Sequence, residues 1–418
     1  MSAGDAAGLA PPDGDETKAE SRGKAPWLAG ARPAPVSAYD TAGLLEEGDD
    51  GTGPRRRAEV GGRTGVRRGL VLGGGGVLGF AWTVGALHAL ENEEGLDVRD
   101  FEICVGTSAG SILTALIGMH VGVDAILRHQ QGIPLPADPR IDWDHATDTG
   151  SALPPRPSFG LGSPDLLRQA ARHPRQVPPL VAASALLPRG RGTLEPVGRM
   201  IEGLAVVLLD DRQGAAGRAG AAGRPGAAGR QGAARPWPSR PQTWIVAMDY
   251  TGGRRVVFGR EGAPPASISE AVQASCAIPA WYAPIMIDGR PYIDGGTYSP
   301  ASIDVLADAD LDEVWVLAPM ASFAFDRPRS PVARVERRFR RAATRRLLAE
   351  ATRLCEAGTA VTLLGPGPED LQLMGANLMD PRRRNDVLAT SLRTSAAALR
   401  REGPGVELVA APTTRVAQ

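Results

Sequence analysis

At 418 residues the chain fits one large domain or two ordinary ones, and a hydrophobic content of 43% can build a sizeable core, which excludes a wholly disordered protein. The 47 basic residues balance 47 acidic ones and aromatics reach only 5%, so no nucleic-acid partner is expected. Lys18 and Lys24 are the only lysines, which leaves any Walker-type phosphate loop without its lysine and argues against Schiff-base chemistry. Cys104, Cys276 and Cys355 form no C-x-x-C pair, and the five histidines include no H-E-x-x-H, so no disulfide framework, no metal and no cofactor is expected. There is no N-terminal basic-then-apolar signal and no apolar run of about 18 residues. The expectation is a cytoplasmic protein, at most peripheral to a membrane.

Residues 1–65 read as a solvated tail. Between positions 2 and 66 only seven residues are Leu, Ile, Val, Phe or Met, too little apolar surface to offset the entropy of ordering. From residue 66 the pattern alternates. A strand at Gly69–Leu72 meets a glycine-rich loop and then a helical run, Phe80–Leu90. A second strand, Phe101–Val105, turns at Gly106 into a helix, Ala109–Met119. Residues 130–200 are proline-rich with short helices, a cap over one end of a sheet. Residues 214–235 repeat glycine every third position, with Pro225 the sole proline; this is too little imino acid for a triple helix and predicts a flexible insert. Further strands are predicted at Thr243–Tyr250, Arg255–Gly259, Glu313–Ala318 and Thr359–Leu364, and helices at Ile268–Cys276, Ala301–Ala309 and Val332–Glu356. Such alternation predicts an α/β fold over 66–410, a mostly parallel sheet with helices on both faces in three layers.

The sharpest local motif is Gly106-Thr107-Ser108-Ala109-Gly110, directly after one strand and directly before a helix. That is the context of a G-x-S-x-G nucleophile elbow, in which a tight turn exposes the serine Oγ beside a helix N-terminus. Serine is also a favoured helix N-cap, the plainer reading. Upstream, Gly74, Gly76 and Gly79 match G-x-G-x-x-G. A dinucleotide loop would need an acid about 20 residues on, ending the next strand. Glu93, Glu94 and Asp97 lie near that distance but precede the second strand. The other reading is an oxyanion hole built from consecutive backbone amides.

A serine nucleophile needs a base. His88, His120, His129, His145 and His173 all lie in helical or proline-rich stretches, and nothing follows 173, which fits poorly with a Ser–acid–His order. Asp294, in Tyr292-Ile293-Asp294-Gly295-Gly296, stands at the end of a short strand, where α/β sites lie, although a D-G-G turn is also ordinary turn chemistry.

The glycine-rich loop, the G-T-S-A-G turn and the D-G-G turn, in this order, resemble the patatin-like phospholipase family. A fourth block agrees, Ala274-Ser275-Cys276-Ala277-Ile278-Pro279, which looks like the A-S-x-A-x-P segment that precedes the family's D-G-G/A turn. The resemblance spans roughly residues 66–320. It implies a Ser–Asp dyad acyl hydrolase of lipid esters, with Ser108 as nucleophile, Asp294 as base and the backbone of Gly74, Gly75 and Gly76 as oxyanion hole. A transacylase would use the same acyl-enzyme. One position departs from the pattern: where the family's loop often carries Arg or Lys just before its final glycine, Leu78 stands here.

Val332, Val335, Phe339, Ala343, Leu347, Ala351 and Leu354 recur at near-helical spacing, amid nine arginines and one acid, Glu336, between 327 and 346. This reads either as a core stripe with a solvated arginine face or as a peripheral contact with anionic membrane made through Arg337, Arg338, Arg340 and Arg341.

Overall fold

The apolar runs of the sequence become strands of one sheet, and both faces of that sheet are covered. The computed structural model describes residues 65–141, 143, 153–220, 237–323, 330–401 and 405–409. The predicted tail, His145 and residues 221–235 of the insert lie outside them.

In chain order the elements are β1 (Arg68–Leu72), α1 (Gly76–Glu94), β2 (Ile103–Thr107), α2 (Ala109–Gly118), α3 (Val123–Gln131), α4 (Pro164–Arg172), α5 (Pro179–Ser184), α6 (Glu195–Gly220), β3 (Gln242–Asp249), β4 (Arg255–Phe258), α7 (Ile268–Cys276), β5 (Ile285–Ile287), β6 (Arg290–Asp294), β7 (Glu313–Leu317), α8 (Pro331–Glu356), β8 (Ala360–Leu364), α9 (Pro368–Met374), α10 (Arg384–Leu399) and β9 (Val406–Val409). The sheet order is β5-β6-β3-β2-β1-β7-β8-β9, with β4 also paired to β3. The central strands β3, β2, β1, β7 and β8 run parallel, and the outer pairings are antiparallel.

Parallel strands are buried on both faces, so they read as unbroken apolar runs. In β1, Leu70 and Leu72 join the core beneath α1, α2 and α7, whereas Val71 joins the core beneath α8. Leu78, at the departing loop position, is wholly buried in the first of these cores.

Three expectations change. The predicted helix Ala301–Ala309 is only a 3-10 turn, Ile303–Leu306, entered through Ser302 in the left-handed region at φ 57. The insert does not begin as a loop: α6 carries through its first residues to Gly220. The long helix α8 does not present one continuous face. Leu347, Ala351 and Leu354 pack on the sheet, but Val332, Val335 and Phe339 are 64%, 54% and 66% exposed. Arg337 and Arg340, expected at the surface, are buried at 5% and 0% exposure, and both pair with Glu336. The helix outruns the sheet, so its upper turns have no apolar partner, and their inner side meets the loop after β7 instead.

Candidate active site

Two strand ends meet on one edge of β3. Thr107, the last residue of β2, faces Val246, and Asp294, the last residue of β6, faces Ala247. Strand β4 pairs with Ile245 through Met248, so it must occupy the opposite edge. Strands β2 and β6 therefore approach each other head to head, and the residue after one lies beside the last residue of the other. This brings Ser108 to Asp294.

At Ser108 the backbone leaves the strand abruptly, with φ 54 and ψ −126, before α2 begins at Ala109. A non-glycine residue in such a conformation is strained, by roughly 1–3 kcal/mol. The turn is this tight because the flanking glycines carry no side chain. A β carbon on Gly110 would sit 2.0 Å from the Leu72 carbonyl oxygen, and one on Gly106 would sit 2.6 Å from the Gly110 carbonyl oxygen. The serine hydroxyl is thus held at the amino end of α2, where the helix dipole is positive.

The Asp294 carboxylate is fixed by the Gly296 N–H, which donates to Oδ1 at 2.7 Å, and its own N–H donates to the Ala277 carbonyl at 3.0 Å. Burial pushes its pKa up to about 6, against the lowering effects of hydrogen bonds from the Ser108 hydroxyl and the Gly296 amide. Ser108 and Asp294 are 7% and 5% exposed. The turn that follows Asp294 is anchored from below. Glu350 accepts from the Ser299 hydroxyl and the Ile303 N–H, each at 3.0 Å. The Tyr298 ring lies near two guanidinium groups, Arg255 at 4.7 Å and Arg346 at 5.0 Å.

The glycine-rich loop lies against Ser108: a β carbon on Gly74 would stand 3.0 Å from that of Ser108. Its amides are not equivalent. Gly73 donates to the Leu317 carbonyl at 2.9 Å, and Gly74 donates to the Pro300 carbonyl at 2.8 Å. Leu78 and Gly79 donate to Leu378 and Gly75, both at 2.9 Å. Among the described residues the amides of Gly75 and Gly76 have no acceptor. Gly74, expected as an oxyanion donor, therefore braces the loop instead. Gly76 takes φ +60, which keeps its position for glycine, and a β carbon on Gly75 would meet the Pro319 ring at 2.8 Å. Pro319 is held in turn by Arg340, whose Nη1 donates to the Pro319 carbonyl.

Ser108 opens onto two spaces. One is an apolar cavity walled by Val77, Phe80, Ile112, Leu194, Ile278 and Tyr282. The other is an open cleft bordered by Gly75, Gly76, Asp294, Thr297 and Met320, and Met379 lines both. No histidine among the described residues lines either space. His88 contacts Asp124 at 3.2 Å, and His129 bonds the Ile141 carbonyl at 2.9 Å. Glu94 closes the far end of α1 and Asp97 pairs with Arg99, so neither stands at the end of β2. Sequence reasoning missed Ser275, Pro300 and Pro319, and it took Arg340 for a surface residue. Only Ser275 carried a signal, as a residue of the A-S-C-A-I-P block. No group of three His, Cys, Asp or Glu side chains that could hold a metal ion occurs among the described residues.

No curated protein matches the chain. Among solved structures it is similar to the type III effector protein ExoU at 19% identity, covering 82% of this chain and 54% of that one, with a TM-score of 0.36. It is also similar to VipD from Legionella pneumophila at 13% identity, covering 83% of this chain and 68% of that one, with a TM-score of 0.32. The chain thus spans about half the length of ExoU. Residues 70–307, more than half of the sequence and all four motif blocks, match the patatin-like phospholipase family. The chain belongs to the patatin-like phospholipase family.

Proposed function

We propose that the protein is a serine acyl-ester hydrolase acting on lipids through a Ser108–Asp294 dyad. Ser108 Oγ attacks the ester carbonyl and passes its proton to Asp294. The carbonyl oxygen takes up the negative charge and receives the Gly75 and Gly76 amides, donors of a kind worth roughly 2.7–4 kcal/mol each. As the carbon–oxygen bond to the alcohol breaks, Asp294 protonates the leaving alkoxide, and an acyl-enzyme remains. Water then gives a proton to Asp294 and its hydroxide to the acyl carbon, and Ser108 recovers its proton as the fatty acid departs. The acyl chain occupies the apolar cavity beside Ser108, which favours a hydrocarbon over a polar acyl group.

The single observation that carries this reading is a strained serine beside a buried aspartate and two uncommitted loop amides. The same loop argues against a dinucleotide, since it is backed directly by Ser108. The test is labelling by a fluorophosphonate, wild type against Ser108→Ala, followed by product analysis on a lipid panel. Labelling of wild type alone with release of free fatty acid supports the hydrolase. Quantitative recovery of the acyl group on an alcohol would make the protein a transacylase, and equal labelling of both chains would overturn the dyad.

A further inference from the structure

The upper end of α8 is built unlike the rest of that helix. The lower turns run along the sheet, and Arg340 reaches the loop after β7, beside the glycine-rich loop. The chain enters α8 from that same carboxyl end of β7, so the first turns of the helix rise past the edge of the sheet at which Ser108 lies. With a rise of about 1.5 Å per residue, Val332 stands about 12 Å beyond Arg340 along the axis. Val332, Val335 and Phe339 recur at helical spacing and are exposed. Arg334, Arg338 and Arg345 are also exposed and fall on an adjoining face, at about 100° per residue. The only acid in these turns, Glu336, is engaged by Arg337 and Arg340. Among the described residues, the exposed surface of these turns is therefore an apolar strip beside an arginine row, with no exposed carboxylate on the turns themselves.

We propose that this end of α8 docks the protein on an anionic lipid surface, with Val332, Val335 and Phe339 entering the acyl boundary and Arg334, Arg338 and Arg345 facing the anionic headgroups. The occupant follows from charge complementarity and place. An apolar strip alone would suit many partners, but a row of exposed arginines on the same turns favours a negative surface. The projection lies at the end of the sheet that carries Ser108, so docking there brings the cleft to the lipid. The inference deepens the hydrolase reading by naming the surface from which substrate enters, and it differs from the sequence expectation, which relied on Arg337, Arg338, Arg340 and Arg341, two of which, Arg337 and Arg340, are buried.

The experiment measures vesicle co-sedimentation in the Ser108→Ala background, so that lipid is not consumed. Vesicles of phosphatidylglycerol with phosphatidylcholine are compared with pure phosphatidylcholine. The expected result is binding to the anionic vesicles that weakens with added salt, because the Debye length is only about 10 Å at 0.1 M. Combined Val332→Ser, Val335→Ser and Phe339→Ser should lower it by about tenfold or more. Arg338→Gln with Arg345→Gln should remove the preference for anionic vesicles. In the active background these variants should keep their melting temperature and their hydrolysis of a short soluble ester. Unchanged vesicle binding by the triple variant would overturn the proposal. So would a dimer in sedimentation velocity that the triple variant dissociates, since the face would then belong to a second copy. Binding that depends on α8 in a chain with no ester hydrolysis would leave the docking surface standing and remove the hydrolase.

Discussion

Ser275 joins the two strand ends that carry Ser108 and Asp294: its Oγ accepts the Ser108 N–H at 2.9 Å and donates to the Val246 carbonyl at 2.6 Å. Val246 is where β2 stops and β6 has not yet begun, so one hydroxyl satisfies two buried backbone groups in the gap. Ser275→Ala leaves both unpaired, at roughly 1–3 kcal/mol per group. We expect a lower melting temperature and a fall in kcat with KM little changed. A variant as stable and active as wild type would mean that water replaces the hydroxyl.

The acid limb of catalysis should follow Asp294. The base works ionised, and its pKa is about 6, so kcat/KM should fall as the pH drops below about 6 and level off above it. Stability should move the opposite way. The native carboxyl binds protons more tightly than the unfolded one, whose ordinary value is 3.8, so stability present below 3.8 is lost as the pH rises through about 6. Asp294→Asn removes that loss. Relative to wild type it should gain about 3 kcal/mol on passing from below the lower value to above the upper one, as denaturant titrations at the two extremes would reveal.

A limb near 6 resembles that of a histidine, with its reference value of about 6.5. Substitution separates the two cases. His88, His120, His129, His145 and His173, each replaced by Gln, should keep most of the activity and leave the limb in place. Loss of activity in any one folded variant would restore a Ser–His pair.

The backbone at Ser108 gives a stability test. Ser108→Gly relieves the positive φ, whereas Ser108→Ala removes the same hydroxyl and keeps the strain. Both should be inactive, and the glycine variant should melt higher than the alanine variant, by an amount equivalent to roughly 1–2 kcal/mol.

Arg340 reaches the glycine-rich loop through Pro319. Arg340→Met should reduce kcat by roughly ten- to a hundredfold through loop misplacement, with KM within about twofold. Arg340→Lys, which keeps a donor for the Pro319 carbonyl, should recover part of the loss. A drop in melting temperature with kcat intact would make this arginine a fold residue alone.

Ser108 and Asp294 were legible as candidates because the turns that carry them are written locally. G-T-S-A-G and D-G-G each require a turn that few residues other than glycine permit, so the sequence records the backbone. The first helix of the doubly covered sheet was placed for the same reason, although its start was set four residues late because Gly76 to Gly79 read as loop. The supporting residues were not legible. Pro300 and Pro319 act through a carbonyl and a ring face that any proline carries, and their importance lies in what stands opposite them in space. Arg337 and Arg340 read as surface residues because burial of arginine depends on a partner, and Glu336 belongs equally to a solvated helix. Gly74 is the subtlest case, because three adjacent glycines look interchangeable until the carbonyl of Pro300 claims one amide.

The meeting of β2 and β6 on one edge of β3 separates catalytic geometry from chain length. The distance between Ser108 and Asp294 is set by the pairing of Thr107 and Asp294 with neighbouring residues of a single strand. Beyond α2, the connection from β2 to β3 is a detour that returns to a fixed register. Because closure entropy grows only with the logarithm of loop length, that detour can change in length at little cost to the register. The connection between these strands is thus free to vary while Thr107 and Asp294 keep their places along β3.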